Sequence, residues 1–324
     1  MHTSRWFRCS IALLGSWLAV ACLAQTALPA QASSSGADQP PLLPAPAAQS
    51  VPAMARDHHY ALLALTALSD RHPKPERLAA IGALTRLAEH GNAFAEYVLG
   101  SQYMWGAQRP HALLPYNAAL ASEYLANAAI RGNLYAMQAL AQFDLLNHHP
   151  LQAMIWAQTL AYYHHQLNPE QQRMHGYLPE LIARAQRQLS DAQKAAVLGD
   201  VNGVIARYGA RIEKGLHDRG MPQPSLLCLT RRIAPPANMP AFPRPDFSGR
   251  YPHAVSLIML YAVDPAGRIA DHAIINMLPD WRVHNELNYP LALMRFNATP
   301  YCQHLRPVIQ PVEYDDRRYT MHWH

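Results

Sequence analysis

Histidine, cysteine and acidic side chains are the groups in this chain that could do chemistry, and their spacing decides which chemistry is open to them. The sequence holds 18 histidines. His58-His59, His148-His149 and His164-His165 are adjacent pairs, and neighbours on a helix diverge by about 100°, so such a pair cannot chelate from one face. No two histidines stand three or four residues apart and no His-Glu-x-x-His occurs, which leaves out the helical metal-ligand patterns. His322-Trp323-His324 sets two imidazoles on one side of a strand, where a fraying chain end is the better reading. No Gly-x-Ser-x-Gly elbow and no glycine-rich phosphate loop is present. A carboxylate pair for glycoside hydrolysis would have to be assembled by the fold from distant Asp and Glu, and nothing singles out two of them. The expectation is therefore no catalytic residue, no metal and no cofactor.

The four cysteines point to a compartment. Cys9 and Cys22 fall in an apolar leader, and Cys228 and Cys302 lie in the body of the chain. Arg5 and Arg8 precede the uncharged stretch 9–37. Its apolar part, 9–24, suits a signal-peptide core and is short for a bilayer span, which needs roughly 20 residues. Ala30-Gln31-Ala32 has small residues at the −3 and −1 positions, so cleavage is expected after Ala32. An uncleaved anchor and a lipoprotein at Cys22 are the rival readings. All three export the chain, and the expected location is the periplasm. In an oxidising compartment Cys228 and Cys302 suggest one disulfide, with two separately buried thiols as the alternative.

Charge offers little purchase for a polyanion. Lys and Arg number 27 against 22 Asp and Glu, a formal balance of +5. Without Arg5 and Arg8 it is 25 against 22, or +3, and no nucleic-acid partner is expected. Hydrophobic residues make up 50% of the chain, too many for a disordered protein.

Two proline-rich stretches divide the chain. Five prolines between Pro40 and Pro52 make 33–56 an extended tether. Seven more between Pro222 and Pro245 make 217–245 a second linker. The first body, 57–216, is helical: Leu178, Leu181, Ile182 and Ala185 mark one buried helix face, and 191–215 also reads as helix. It contains a repeat. Residues 80–99 and 121–140 share seven of twenty positions at an offset of 41, among them Gly91 with Gly132, Asn92 with Asn133 and Ala95 with Ala136. Glycine at a helix end permits the left-handed turn that folds the next helix back, and such pairs must stack to bury their faces.

The pattern resembles the Sel-one-like repeat, a relative of the tetratricopeptide repeat, through Ala95, Leu99, Gly100, Tyr103 and Gly106, then Ala121, Tyr124, Ala128, Ala129, Gly132 and Asn133. It covers about 110 residues. The loop after Gly106 is longer than the family's, and His164-His165 stands where the third turn falls. The resemblance implies a scaffold that binds proteins on a curved face, with Tyr97, Tyr103, Trp105 and Tyr124 as candidate partner-binding residues; the competing reading of these aromatics is core or rim of the repeats.

The second body, 246–324, is strand-like. The run 254–263 is continuously apolar, Asp264-Pro265-Ala266-Gly267 is a turn, and 268–276 returns as a hairpin. A helix is expected over Tyr289–Asn297 with Pro290 in its first turn. Arg306–Tyr314 reads as a strand that Pro307 and Pro311 confine to an edge or to pairing on one side, followed by a short strand, Arg318–His322. This order resembles the TonB C-terminal domain, with matches at Tyr251-Pro252, Tyr261 to Asp264, Gly267, Ile269, Asp271, Ile275, Ala292, Met294, Phe296 and Pro300. The usual Ser-Ser-Gly after the second strand is replaced by Met277-Leu278-Pro279-Asp280. The family implies strand addition of a partner at a sheet edge, here Val308, Ile309, Val312 and Tyr314. The expected fold is therefore α+β: an all-α solenoid of helix pairs, then a small TonB-like α+β domain. The expected function is an exported, non-enzymatic protein-interaction adaptor. Its partners are cell-envelope proteins, an outer-membrane transporter being one candidate, with membrane contact only if the leader stays uncleaved. The alternatives are a membrane-anchored TonB-like energy transducer and an envelope hydrolase.

Overall fold

Paired glycines and asparagines set the helical framework. The computed structural model describes residues 53–167, 176–218, 232–233, 254–281, 284, 294–298, 305–315 and 320–323; the leader, most of both proline-rich stretches, Cys228 and Cys302 lie outside them. The helices are α1 (Ala53–Leu68), α2 (Lys74–Glu89), α3 (Ala93–Trp105), α4 (Ala118–Ile130), α5 (Leu134–Leu146), α6 (Pro150–Leu167), α7 (Tyr177–Gln186) and α8 (Asp191–Asp218). No described helix is long and apolar enough to cross a membrane.

Helix α2 ends with Gly91 at φ 76° and α4 with Gly132 at φ 82°. At both ends the same two bonds close the turn. Gly91 N–H donates to Ala88 O and Asn92 N–H to Leu87 O, while Gly132 N–H donates to Ala129 O and Asn133 N–H to Ala128 O. These are the paired bonds of a Schellman motif. The asparagine that leaves the turn then caps the next helix, Asn92 Oδ1 accepting from Ala95 N–H and Asn133 Oδ1 from Ala136 N–H. The repeat at offset 41 is thus a repeat of turn chemistry. The third turn departs from it: α6 runs on through His164 and His165 to Leu167.

Alternate helices share a side. Helices α1, α3, α5 and α7 carry the sheet, and α2, α4, α6 and α8 stack behind them. The sheet is antiparallel, in the order β3 (Ile269–Leu278), β2 (Ala254–Val263), β5 (Arg306–Asp315), β6 (Thr320–Trp323). The expected hairpin is present as β2 and β3. Strand β2 is buried at all ten positions. Ser256 bonds to Gln138 of α5 on one face, while Tyr261, of opposite parity, has its ring 5.3 Å from Phe296 on the other.

Two expectations are corrected. Of the helix expected over Tyr289–Asn297, residues 289–293 lie outside the described residues, and Arg295–Phe296 is a strand, β4, paired with β1 (Arg232–Ile233). Burial of Phe296 against Tyr261 and its N–H bond to Gly267 O at 2.8 Å hold it extended. Strand β1 in turn lies inside the stretch read as linker. The described helices and strands fall in one compact unit, 42–324.

The two turn glycines differ in surroundings. A Cβ at Gly132 would stand 2.6 Å from Ile212 O of α8, whereas one at Gly91 meets only the Arg131 guanidinium, at 2.9 Å. Both substitutions to alanine carry the left-handed backbone cost of about 1–2 kcal/mol. Gly132→Ala also collides with fixed backbone. Denaturant unfolding should show Gly132→Ala losing clearly more stability than Gly91→Ala; equal losses would contradict this packing of α8.

Candidate functional site

The seam between helices and sheet begins at two irregularities of β3. Its pairing with β2 skips Ala270 and Ile275, which are bulged. At each bulge a helical-region side chain takes a carbonyl of the sheet edge. Arg71 Nη1 donates to Ala270 O at 2.8 Å, and Gln102 Nε2 reaches Ile275 O at 3.5 Å. Arg109 Nη2 donates to Ile274 O at 2.9 Å and Trp105 Nε1 to Asn276 Oδ1 at 2.6 Å. An edge strand exposes unpaired backbone groups; here the helical array covers them.

Arg109 is buried and pairs with no acid among the described residues. Its partners are Gln102 Oε1, Ile274 O and Leu68 O, and its guanidinium lies 5.5 Å from the Trp281 ring centroid. Arg77 donates to Ala67 O at 3.2 Å and to His111 O at 2.7 Å. The two arginines thus occupy the negative end of the α1 dipole, whose last carbonyls lack helical partners. Burial, with the charge of Arg77 added, pushes Arg109 down to about 9, so it stays cationic at neutral pH.

Ser69, Asp271 and His72 meet at the same end of α1. Ser69 Oγ donates to Asp271 Oδ1 at 2.6 Å and His72 Nε2 lies 3.0 Å from Oδ2. The carboxylate stands between the other two. A nucleophile needs its hydroxyl on the base, and Ser69 is only 2% exposed. The trio ties α1 to β3.

A third polar knot lies at β5. Glu313 faces Ser256 across the β2–β5 ladder. Its Oε2 accepts from Tyr177 N–H at 2.8 Å, at the first turn of α7. Ser256 Oγ stands 2.9 Å from Gln138 Oε1 and 2.7 Å from Glu313 Oε1. One hydroxyl hydrogen cannot serve two acceptors, so one neighbour must donate, a role open to a protonated Glu313 and to the Gln138 amide turned by 180°. Burial pushes Glu313 up to about 7, against the bonds that Ser256, Tyr177 and Gln138 offer its ionised form.

The expected site residues divide. Tyr97 and Trp105 are 1% and 3% exposed, closed off in the seam where a partner was expected. Burial raises the Tyr97 hydroxyl, which has Ser101 and Asn276 beside it. Tyr103 and Tyr124 stack at 6.0 Å and are half-buried between α3 and α4. On β5, Val312 is buried, Val308 is half-buried and Ile309 is exposed; Tyr314 pairs with Val255 on one side and Met321 on the other. The expected edge is therefore open only before Val312, since β6 covers 312–315. It is also blunted. The unbroken β2–β5 register requires the nitrogens of Pro307 and Pro311 to face away from β2, which leaves Ile309 the one N–H donor on the outer flank between them.

A cleft of about 580 Å³ opens where α3, α5, α7 and the end of β3 converge. Trp105, Tyr116, Phe143 and Leu146 form its apolar walls, and Gln142, Tyr177, Arg184, Glu180 and Asp280 its polar part. Tyr116 is 52% exposed at the mouth. Tyr177 donates its hydroxyl hydrogen to Gln142 Oε1 and accepts from Arg184 Nη1 at 2.7 Å. Burial raises the Tyr177 hydroxyl, opposed by Arg184, so it remains a neutral donor. No group of three His, Cys, Asp or Glu among the described residues could hold a metal ion.

Comparison with protein-family models, with curated proteins and with solved structures finds no match.

Sequence reasoning missed Gln102, Gln138, Gln142, Arg109, Asn276 and Glu313. Their signal is polarity on otherwise apolar faces: Ser256 inside AVSLIMLYAV, Asn276 inside AIINML, and Gln138 and Gln142 one turn apart on α5. The offset of 41 sets Gln138 over Tyr97, so the equivalent position of two repeats faces the sheet in both.

Glu96 and Asp144, like Glu313, are pushed up to about 7, in each case chiefly by burial. The folded chain keeps protons that the unfolded chain releases above the ordinary carboxyl range. Stability should therefore fall as pH rises from about 4.5 to about 7 and stay lowered above that. Thermal unfolding followed from pH 5 to pH 8 should show this decline, and Glu313→Gln should make it shallower. An unchanged slope in the variant would contradict the protonated Glu313.

Proposed function

We propose that the chain is an exported, non-enzymatic protein-interaction adaptor that receives a segment of a cell-envelope partner in the cleft at the helix–sheet seam. The observation that carries this reading is the cleft itself, with aromatic walls beside a few polar groups held in place by one another, the usual make-up of a binding site. The side of the helical array formed by α1, α3, α5 and α7 carries the chain's own sheet. The blunted flank of β5 makes strand addition the weaker mode. The two Schellman turns support the Sel-one-like reading of the helices, and the β2–β3 hairpin followed by β5 supports the TonB-like reading of the sheet. Periplasmic location rests on the leader, and an outer-membrane transporter remains one candidate partner.

A photo-crosslinking residue at Tyr116, at the cleft mouth, should capture one envelope protein in intact cells. The same residue at Leu198, 70% exposed on α8, should not. Identical capture from both positions would count against the cleft. Sequencing the mature amino terminus should give a chain starting at Ser33; an intact Met1 in the inner-membrane fraction would favour the anchored transducer.

A further inference from the structure

Within the adaptor reading, on which this inference rests, we infer that the cleft captures the free C-terminal carboxylate of its partner segment, with the Arg184 guanidinium and Gln142 Nε2 as donors. Arg184 is oriented by Tyr177, to which Nη1 donates at 2.7 Å, and by Gln142 Oε1 at 3.5 Å from Nη1. No carboxylate of the described residues lies within 4 Å of it. Glu180, one turn earlier on α7, stands 3.7 Å from Arg187 Nη2 instead. A guanidinium carries five donors in a rigid fork. One spent on neutral oxygens leaves the others for a planar acid, which it binds bidentately.

Gln142 supplies a second, independent pointer. It is fully buried, its oxygen is taken by Tyr177, and its Nε2 has no partner. A buried donor without an acceptor is costly, and a turn of the amide toward the cleft on binding would give it a carboxylate beside Arg184 as acceptor. Other features of the lining narrow the class. Glu180 and Asp280 share the cleft and repel a polyanion, so the ligand carries one negative charge at this end. Trp105, Phe143 and Leu146 stand around the same space, suited to an apolar last side chain. An amide-linked chain ending in an apolar residue fits both, and capture of a terminal carboxylate is a recurring mode of peptide recognition.

The test uses the full mature chain and an array of randomised hexapeptides, each made as the free acid and as the C-terminal amide, with titration calorimetry on those that bind. The acids should bind about tenfold or more tighter than their amides, as expected for a charge-assisted pair. Arg184→Gln should remove most of that difference, Arg184→Lys should keep part of it and report on folding, and Arg187→Gln should leave it unchanged. Acids and amides bound alike, with a cross-link from Tyr116, would overturn the carboxylate inference and leave the adaptor reading standing. No peptide bound in either form would overturn both.

Discussion

An edge strand whose carbonyls are taken by helical side chains is the constraint on which this structure depends. Strand β3 closes one side of the sheet. Left in water its outer backbone groups would need solvent or another strand, and left against apolar helices they would be orphaned at a cost of about 1–3 kcal/mol each. Arg71, Gln102 and Arg109 meet this demand at Ala270, Ile275 and Ile274, two of which are the bulged residues of the strand. Because these bonds are directional, they fix the register of the sheet on the helices as apolar contact alone would not. The cleft follows from that register, since its walls come from α3, α5 and the loop before α4, and its polar part from α5, α7 and the residues just after β3.

The same arrangement explains why the aromatic residues of α3 do not form an open outer platform, Trp105 reaching only the cleft. Tyr97 and Trp105 lie on α3, one of the helices that carry the sheet, and the sheet buries them. Helix pairs stacked through Gly91-Asn92 and Gly132-Asn133 leave an inner side that needs covering. The chain covers it itself, with Ser256, Asp271, Asn276 and Glu313 as the polar points of attachment. The cleft beside Arg184 is a part of the seam that this covering leaves open.

Much of the framework was legible because it depends on local chemistry. The two glycine turns, the asparagine caps, the apolar face of α7 and the β2–β3 hairpin each follow from residues within one turn or one strand of each other. Pro307 and Pro311 also announced a one-sided strand, and only its last four residues gained the partner β6. The site was not legible, because it is made by residues far apart in sequence: Gln142 with Tyr177 and Arg184, Glu313 with Tyr177 and Ser256, Trp105 with Asn276. A polar residue in an apolar run signals that a partner exists, without saying which. Arg295–Phe296 went astray for the same reason, since its extended form is set by Tyr261 and Gly267.

The central claim is that helices and sheet share one core stitched along β3. Segment-resolved hydrogen exchange in rising denaturant tests it most directly. Peptides from α3, α5 and β3 should lose protection together, in one transition. Loss of protection in β2 and β3 at lower denaturant, with α3 and α5 still protected, would show two bodies that merely touch and would contradict the account.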